Sequence, residues 1–294
     1  MPKHRKAPAL IRSKAQILEA ASRNQIAFSD THCGCRVAIC PPEGIKLDDG
    51  GVYMPSGLQL KIWAIWEEFW NVWVPEATRG EPFICVHNGD AIDGSHHGST
   101  TQISQNIEDQ VDLAYNILKP VVEKCEGRYY HIRGTEAHVG QSAVNEERLA
   151  KRLDAIPNEH GQYARYELFK KCGDKLVHYM HHVGTTGSSA YESTAVWKEM
   201  VEAYVEAGRF GDVPPDVLVR SHRHRNIEIR AGAAKGYCMS LVTAAWQLKT
   251  PFTYKIPGGR QSQPQIGGSI IRISAEDELH ARHFVKRMER PRAE

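Results

Sequence analysis

The stretch PFICVHNGDAID, residues 82–93, joins an apolar run to a polar cluster. The run has the length and the aromatic and β-branched content of a buried strand. Asp90 and Asp93 follow directly after it. Carboxylates buried without partners would be very costly in free energy, so the end of this strand requires other groups beside it.

The same pattern occurs four more times along the chain. Further apolar runs that end in a polar cluster are QIAFSDTH (25–32), RYYHIRGTEAH (128–138), KLVHYMHHVG (175–184) and DVLVRSHRH (216–224). Several of the stretches between them have helical patterns, so strands and helices alternate, which indicates an α/β protein. Ligands of such sheets bind outside the carboxyl ends of the strands. We therefore expect all five clusters to converge there.

The clearest helix is GLQLKIWAIWEEFWNVW, residues 57–73, where four tryptophans recur at spacings of three and four. One tryptophan face at helical spacing predicts a helix packed on a sheet, with an oligomer contact as the alternative. Residues 33–55 carry the turn signals Pro41-Pro42 and Asp49-Gly50-Gly51. They predict an inserted hairpin beside the site.

The composition is that of an ordinary globular protein, with 41% hydrophobic and 24% charged residues in 294. A formal charge of +2 gives no field that implies nucleic acid as a partner. Only the ends are basic, which predicts an N-terminal arm or helix over residues 1–24 and a C-terminal segment over 276–294. Solvated arms are the usual reading of such ends, and binding to a phosphate backbone is the alternative.

No apolar h-region follows Met1, and no apolar run approaches the roughly 18 residues that a membrane span needs. Seven cysteines, an odd number in a long chain, do not form a disulfide framework pattern. We therefore expect a cytoplasmic protein with no membrane partner. The sequence is compatible with an oligomer as well as with a monomer. The cluster Cys33, Cys35 and Cys40 lacks a second matched pair, which favours small loop residues over a soft-metal site.

The polar clusters offer carboxylates and imidazoles with no cysteine among them. This donor set suits Mn, Fe, Zn, Ni or Co. Six or seven candidate ligands are more than one structural zinc takes, so two divalent ions are expected, with manganese favoured. Sites with two metals activate a water and stabilise the oxygens of an in-line displacement at phosphorus.

The order of the blocks resembles the calcineurin-like metallophosphoesterase family. These blocks are D-x-H, then G-D-x-x-D, a block in the place of G-N-H, a single histidine and finally H-x-H, over roughly residues 25 to 245. The resemblance implies a four-layer α/β/β/α sandwich of two mixed sheets, with the metal site at the carboxyl ends of the strands. It also makes residues 25–275 the metallophosphoesterase domain.

The resemblance assigns ligands to both metals. Asp30 and His32 would hold the first metal together with His224. Asp90 would bridge the two ions.

The second metal would take His222 and His181, with His182 as the alternative if the register differs by one residue. Asp93 would support the site without ligating. Ser221 replaces the family's glycine before the last histidine pair, a small change.

A larger departure lies at Gly134-Thr135-Glu136-Ala137-His138. The family's asparagine ligand is missing there and the histidine is displaced by two residues. We expect Glu136 to replace the asparagine, since a carboxylate is a stronger ligand than the hydroxyl of the competing Thr135. His138 would protonate or stabilise the leaving oxygen.

The expected activity is metal-dependent hydrolysis of a phosphoester by a metal-bridging hydroxide, with a phosphodiester of a nucleotide or nucleic acid favoured. A phosphomonoesterase and a non-catalytic, metal-stabilised binding scaffold are the alternatives. Arg133, His97 and Arg223 lie next to ligand blocks and are candidates for contact with the substrate phosphate.

Overall fold

The computed structural model describes residues 14–96, 98–185, 188–233, 236–256 and 259–289. The helices are α1 Lys14–Ser22, α2 Gly57–Glu68, α3 Val74–Thr78, α4 Ile107–Lys124, α5 Glu136–Val139, α6 Val144–Arg152 and α7 Glu192–Phe210. The strands are β1 Asn24–Phe28, β2 Ile45–Lys46, β3 Val52–Tyr53, β4 Ile84–His87, β5 Tyr129–Ile132, β6 Ala164–Arg165, β7 Glu167–Cys172, β8 Lys175–Met180, β9 Val217–Arg220, β10 Ile227–Ala233, β11 Gly236–Val242, β12 Gln265–Ile273 and β13 Leu279–Arg287. Within the described ranges, no helix has both the length and the apolar character needed to cross a membrane.

The strands form two large mixed sheets. The first has the order β13-β12-β1-β4-β5-β6, in which β1, β4, β5 and β6 are parallel and β12 is antiparallel to β1. The second has the order β10-β11-β9-β8-β7, in which β8, β9 and β11 are parallel and both edge strands are antiparallel. Each sheet therefore contains a set of neighbouring parallel strands, and the carboxyl ends of these strands lie on the same side of the sheet.

The two sheets pack face to face. One apolar cluster combines Val86 and Ile132 from the first sheet with Tyr179 and Val219 from the second. Side chains of α2, α4 and α6 pack in a second cluster with the first sheet, and side chains of α7 pack on the second sheet. The structure thus confirms the predicted four-layer sandwich of two mixed sheets.

The tryptophan helix supports the strand that leads into the first polar cluster. Ser56 and Gln59 form a capping box at its start, and a wider turn at Phe69–Trp73 connects α2 to α3. Trp66 and Trp70 are buried, and both rings contact Phe28 at the end of β1. Aromatic packing under Phe28 therefore fixes the end of β1, from which Asp30 and His32 follow.

The inserted segment and the C-terminus are both tied to the body of the protein. Strands β2 and β3 pair antiparallel inside residues 33–55, where the sequence predicts a hairpin. Strand β13 pairs with β12 along its whole length, and its Leu279 and Phe284 are buried. The first sheet thus includes much of the segment that the sequence assigns to a basic C-terminal extension, because apolar residues recur between its basic ones.

Replacing Trp66 with alanine should lower the free energy of unfolding by about 3–5 kcal/mol, since a fully packed indole is lost from the core. Thermal and urea unfolding of the two proteins measures the difference. Trp197→Ala is the matched control, because Trp197 is 46% exposed on α7, and it should change stability by less than about 1 kcal/mol. Equal destabilisation by both substitutions would contradict the assigned role of Trp66.

Candidate metal centre

Five turns at the carboxyl ends of parallel strands supply the polar side chains of the centre. They follow β1, β4 and β5 in the first sheet and β8 and β9 in the second. Backbone hydrogen bonds join neighbouring turns: the Asp30 amide donates to the Gly89 carbonyl at 2.9 Å, and the Ser221 amide donates to the His181 carbonyl at 2.9 Å. The facing sheets therefore bring residues distant in sequence to one place.

The backbone of this centre is unusual. Five of the residues named as metal ligands have positive φ angles, namely Asp30 (53°), His32 (40°), Asp90 (56°), His222 (72°) and His224 (55°). This left-handed region is unfavourable for residues with a side chain and persists where the surrounding structure enforces it. Such a concentration at one edge of the sandwich is typical of a functional site.

Two glycines allow the turns to approach closely. A Cβ atom on Gly134 would lie 2.1 Å from Asp90 Oδ1, and one on Gly89 would lie 2.5 Å from His181 Nδ1. Both distances are too short for any side chain. Glycine at these positions is therefore required for the turns after β4, β5 and β8 to meet.

The first cluster consists of Asp30, His32 and His224. Asp30 Oδ1 lies 3.3 Å from His224 Nε2 and 3.8 Å from His32 Nε2, and the two Nε2 atoms are 3.1 Å apart. Asp30 and His32 are almost fully buried. One carboxylate oxygen and two imidazole nitrogens thus point into a common space.

The second cluster consists of Asp90, His181 and His222. Asp90 Oδ2 lies 3.0 Å from His181 Nε2 and 4.0 Å from His222 Nδ1. His181 donates its Nδ1 proton to the Asn88 carbonyl at 2.7 Å, so Nε2 is the ring atom that faces Asp90. Asp90 also groups with His32 and His138. The two clusters are therefore adjacent and Asp90 lies between them.

The ionisation of the two aspartates suits a cation. Burial raises the pKa of a carboxyl group, but the surrounding histidines outweigh this effect and hold the pKa of both Asp30 and Asp90 well below the usual range. Burial lowers the pKa of His181, but Asp90 more than compensates and raises it to about 10. Without a metal, His181 therefore holds a proton on Nε2 that it donates to Asp90 at neutral pH, and a divalent ion that bound Nε2 would have to displace this proton.

The donor set fits divalent metal ions. Asp30 Oδ1 and His32 Nδ1 are buried and have no hydrogen-bond partner among the described residues. Two imidazole nitrogens that face each other at 3.1 Å can share only one proton between them, whereas a cation accepts both lone pairs. Oxygen and nitrogen donors without sulfur suit Mn, Fe, Zn, Ni or Co. Cys33 and Cys35 belong to none of the candidate ligand groups among the described residues, and burial raises the pKa of each thiol to about 12.

Six of the seven residues named as ligands come together in the structure, and their role in binding metal stays a prediction. The register at residues 181 and 182 is resolved geometrically: His181 is buried in the second cluster, whereas His182 is exposed. Asp93 accepts hydrogen bonds from Gln102 at 2.8 Å and Gln247 at 3.0 Å and faces His32 Nδ1 at 3.7 Å. It thus lies behind a ligand, consistent with the supporting role expected of it.

Glu136 is the exception among the expected ligands. It is exposed at the first position of α5 and belongs to none of the ligand groups within the described part of the chain. Thr135 lies at the second cluster instead. Its Oγ1 is 3.1 Å from Asp90 Oδ2, 3.3 Å from His181 Nε2 and 3.2 Å from His222 Nδ1. The chain turns into α5 directly after Thr135, which points Glu136 away from the cluster. The geometry favours Thr135, the competing candidate.

The remaining candidates have different surroundings. His138 donates its Nδ1 proton to the Asp93 carbonyl at 2.6 Å, and its ring packs against His32. Arg133 points elsewhere, since Nε donates to the Ala164 carbonyl at 2.7 Å and the guanidinium stacks on Tyr166. Arg223 lines the cavity above the clusters. His97 lies outside the described residues.

Sequence reasoning missed Glu146, which connects two ligand-bearing turns. This fully buried glutamate on α6 accepts hydrogen bonds from the Ala91 amide at 2.9 Å and the Gly134 amide at 2.6 Å. Each of its oxygens therefore holds the residue next to Asp90 or next to Thr135. No sequence signal distinguishes Glu146 from the adjacent Glu147. Only the fold shows which of the two glutamates connects these turns.

No family model matches the chain, and no curated protein matches its sequence. Similar solved structures include Vps29 from Entamoeba histolytica complexed with Zn²⁺ (12% identity, TM-score 0.37, covering 89% of this chain and 98% of that one) and Vps29 from Chaetomium thermophilum (8%, 0.37, 90% and 98%). Another is the sulfate thiohydrolase SoxB from Thermus thermophilus in complex with glycerol (11%, 0.36, 89% and 56%). Likenesses of this size carry no argument about activity.

Thr135→Val should weaken metal binding at the second cluster roughly 10-fold, because the substitution removes a hydroxyl surrounded by Asp90, His181 and His222. Glu136→Gln is the matched comparison and should leave the affinity within about twofold, because Glu136 is exposed. Titration of metal-free protein with Mn²⁺ measures both affinities. A larger loss in Glu136→Gln than in Thr135→Val would restore Glu136 as the ligand.

Glu146→Gln should weaken metal binding, because an amide group offers one acceptor oxygen where two backbone amides need one each. The expected loss of stability is about 1–3 kcal/mol, the cost of a buried unpaired group. Glu147→Gln is the control, since Glu147 makes the same two kinds of bond to the Tyr163 amide at 2.9 Å and the Ala164 amide at 2.8 Å.

Both variants should therefore lose stability, but only Glu146→Gln should lose metal affinity. Unfolding curves combined with Mn²⁺ titration separate the two effects. Equal metal affinity in both variants would show that Glu146 supports the fold and not the centre.

Proposed function

We propose that this chain is a dinuclear metal-dependent phosphoesterase of the calcineurin-like metallophosphoesterase type. The observation that carries the proposal is the position of Asp90, a buried carboxylate shared by two histidine groups at the point where two sheets meet. A shared carboxylate between two sets of ligands is the arrangement that holds a pair of ions close together.

The chain's own residues divide into two ligand sets. Asp30, His32 and His224 would hold the first ion, and His181 and His222 would hold the second with Thr135 beside them. Asp90 would serve both. When bound, divalent ions of this kind, with manganese favoured, lower the pKa of a water and offset charge on phosphoryl oxygens.

His138 is proposed to move a proton at its Nε2 atom. Burial lowers the pKa of His138 to about 4, so the ring is neutral at pH 7. Its Nδ1 proton is held by the Asp93 carbonyl, which leaves a lone pair on Nε2. Nε2 would take up a proton from solvent and deliver it to the leaving oxygen, while the proton of the attacking water is released to solvent when that water ionises, so the proton balance of the hydrolysis closes.

The phosphodiester is the favoured substrate and the phosphomonoester the second. The basic ends that suggest nucleic acid are partly accounted for by the fold. On β13, Arg282 lies 3.2 Å from Glu76 and Lys286 lies 2.8 Å from Glu68. Charges paired within the protein contribute less to binding a phosphate backbone, so we propose a phosphoester substrate without assigning these residues to it.

A second candidate function is a non-catalytic, metal-stabilised binding scaffold. One observation favours it: Thr135 occupies the place where the resemblance leads one to expect asparagine. A hydroxyl is a weaker ligand than an amide oxygen, and the second ion would be bound less firmly.

Hydrolysis of bis(p-nitrophenyl) phosphate and p-nitrophenyl phosphate with added Mn²⁺ tests the proposal. Turnover should be abolished by chelation and restored by metal. Asp90→Asn should lose both metal and activity, at least about 10²-fold in kcat/KM, because the shared charge is removed. His138→Ala should lower kcat about 10²-fold or more while retaining metal.

Asp277→Asn, a change of the same type at an exposed position, should alter neither metal content nor turnover. Absence of turnover on both esters by protein shown to contain two equivalents of metal would support the scaffold instead. Equal loss of metal in Asp90→Asn and His138→Ala would contradict the separate roles.

A further inference from the structure

We propose that the site accepts a small organic phosphoester whose non-phosphate group is apolar, an aromatic ring above all, and that residues 247–256 and 259–264 supply the wall that recognises this group. The inference rests on the proposed phosphoesterase function and names its substrate class. It concerns the cavity above the two clusters and not the clusters themselves.

The cavity has the size of a small-molecule site. Its volume is about 480 Å³, and its lining includes His32, Asp90, Thr135, His138 and both histidines of the last block. Sites for small organic ligands have volumes of roughly 300–1,000 Å³. A ligand in this cavity would thus have one end at the candidate metal ligands and would extend away from them.

The two stretches 247–256 and 259–264 are flanked by residues that bond to the first cluster. On one side, the Trp246 amide donates to the Asp30 carbonyl at 2.9 Å. On the other side, the Gln265 amide donates to the His224 carbonyl at 3.0 Å. Within the first stretch, the Leu248 amide donates to the Val37 carbonyl at 2.8 Å. Both flanking residues therefore lie beside proposed ligands.

The stretch 247–256 gives the cavity an apolar wall. Leu248, Phe252 and Ile256 all line the cavity, and Val183 adds to the apolar lining from the turn after β8. Phe252 is 37% exposed although it is a large aromatic residue. An aromatic ring at the edge of a cavity loses its remaining water contact when an apolar ligand covers it, which contributes affinity.

Few cations line this cavity. Among the described residues the Lys and Arg side chains of the lining are Arg223, Arg225 and Lys249, and Arg225 lies 2.9 Å from Glu192 in an ion pair. Binding a nucleic-acid strand requires cations that neutralise several successive phosphates. One phosphoryl group at the metal ligands and one apolar group at the wall match this cavity better than a polymer does.

Calorimetric titration of the Mn²⁺-loaded protein with phenylphosphonate and methylphosphonate tests the wall directly. Phenylphosphonate should bind at least about 10-fold more tightly, which corresponds to about 1.4 kcal/mol. Phe252→Ala should reduce this preference to within about threefold. Tyr254→Ala is the matched control, since it removes an exposed aromatic residue of the same segment that is not part of the cavity lining, and it should retain the preference.

The outcomes separate this inference from the proposed function. Equal affinity for the two phosphonates, or a preference unchanged by Phe252→Ala, would overturn the wall even if phosphoesters are hydrolysed. A ten-nucleotide single-stranded DNA that binds more tightly than phenylphosphonate would overturn the small-molecule class. A Phe252-dependent preference in a protein without turnover would support the wall while removing the catalytic proposal.

Discussion

The arrangement of this protein depends on burying the carboxylate of Asp90 between two sheets. The group is 1% exposed and sits within 3.0 Å of His181 Nε2, while its other oxygen accepts the Thr135 amide at 2.7 Å. A buried charge of this kind is tolerated only when opposite charge and hydrogen bonds surround it. Strands β4, β5 and β8 must therefore end at the same point, and the positive φ angles and the close-packed glycines are the local means by which they do so.

The frame that delivers these strands is apolar. Facing side chains of the two sheets fill one core, and the tryptophan helix packs a second core beneath Phe28. Dense packing resists displacement of the strands. The turns that follow the strands therefore keep their positions, although removing their charged groups from water costs free energy. Glu146 adds the polar counterpart from behind, because it holds two of the turns through their backbone amides. The proposed metal centre is thus held in place both by apolar core packing and by the hydrogen bonds of Glu146.

Particular residues show how far sequence reasoning reaches. The five strand-end clusters are readable because apolar runs and the polar residues after them are local signals. The choice of His181 over His182 follows from alternation along β8 only when the strand's register is known. Thr135 and Glu136 show the opposite limit: ligand strength favours the carboxylate, but the turn into α5 directs the hydroxyl to the cluster. Glu146 and Glu147 are indistinguishable neighbours until the fold assigns them different amides.

The sequence by itself determined the α/β class, the order of the strand-end blocks and the chemistry of their donors, since these depend on residue type and short-range periodicity. Tertiary structure decided which of those donors meet, because distances between turns depend on how two sheets stack and which glycines let them approach. It also decided that Trp246 and Gln265, which flank the proposed wall, donate their amides to the carbonyls of Asp30 and His224. Neighbours so far apart in the chain leave no local pattern, and only folding brings them into contact.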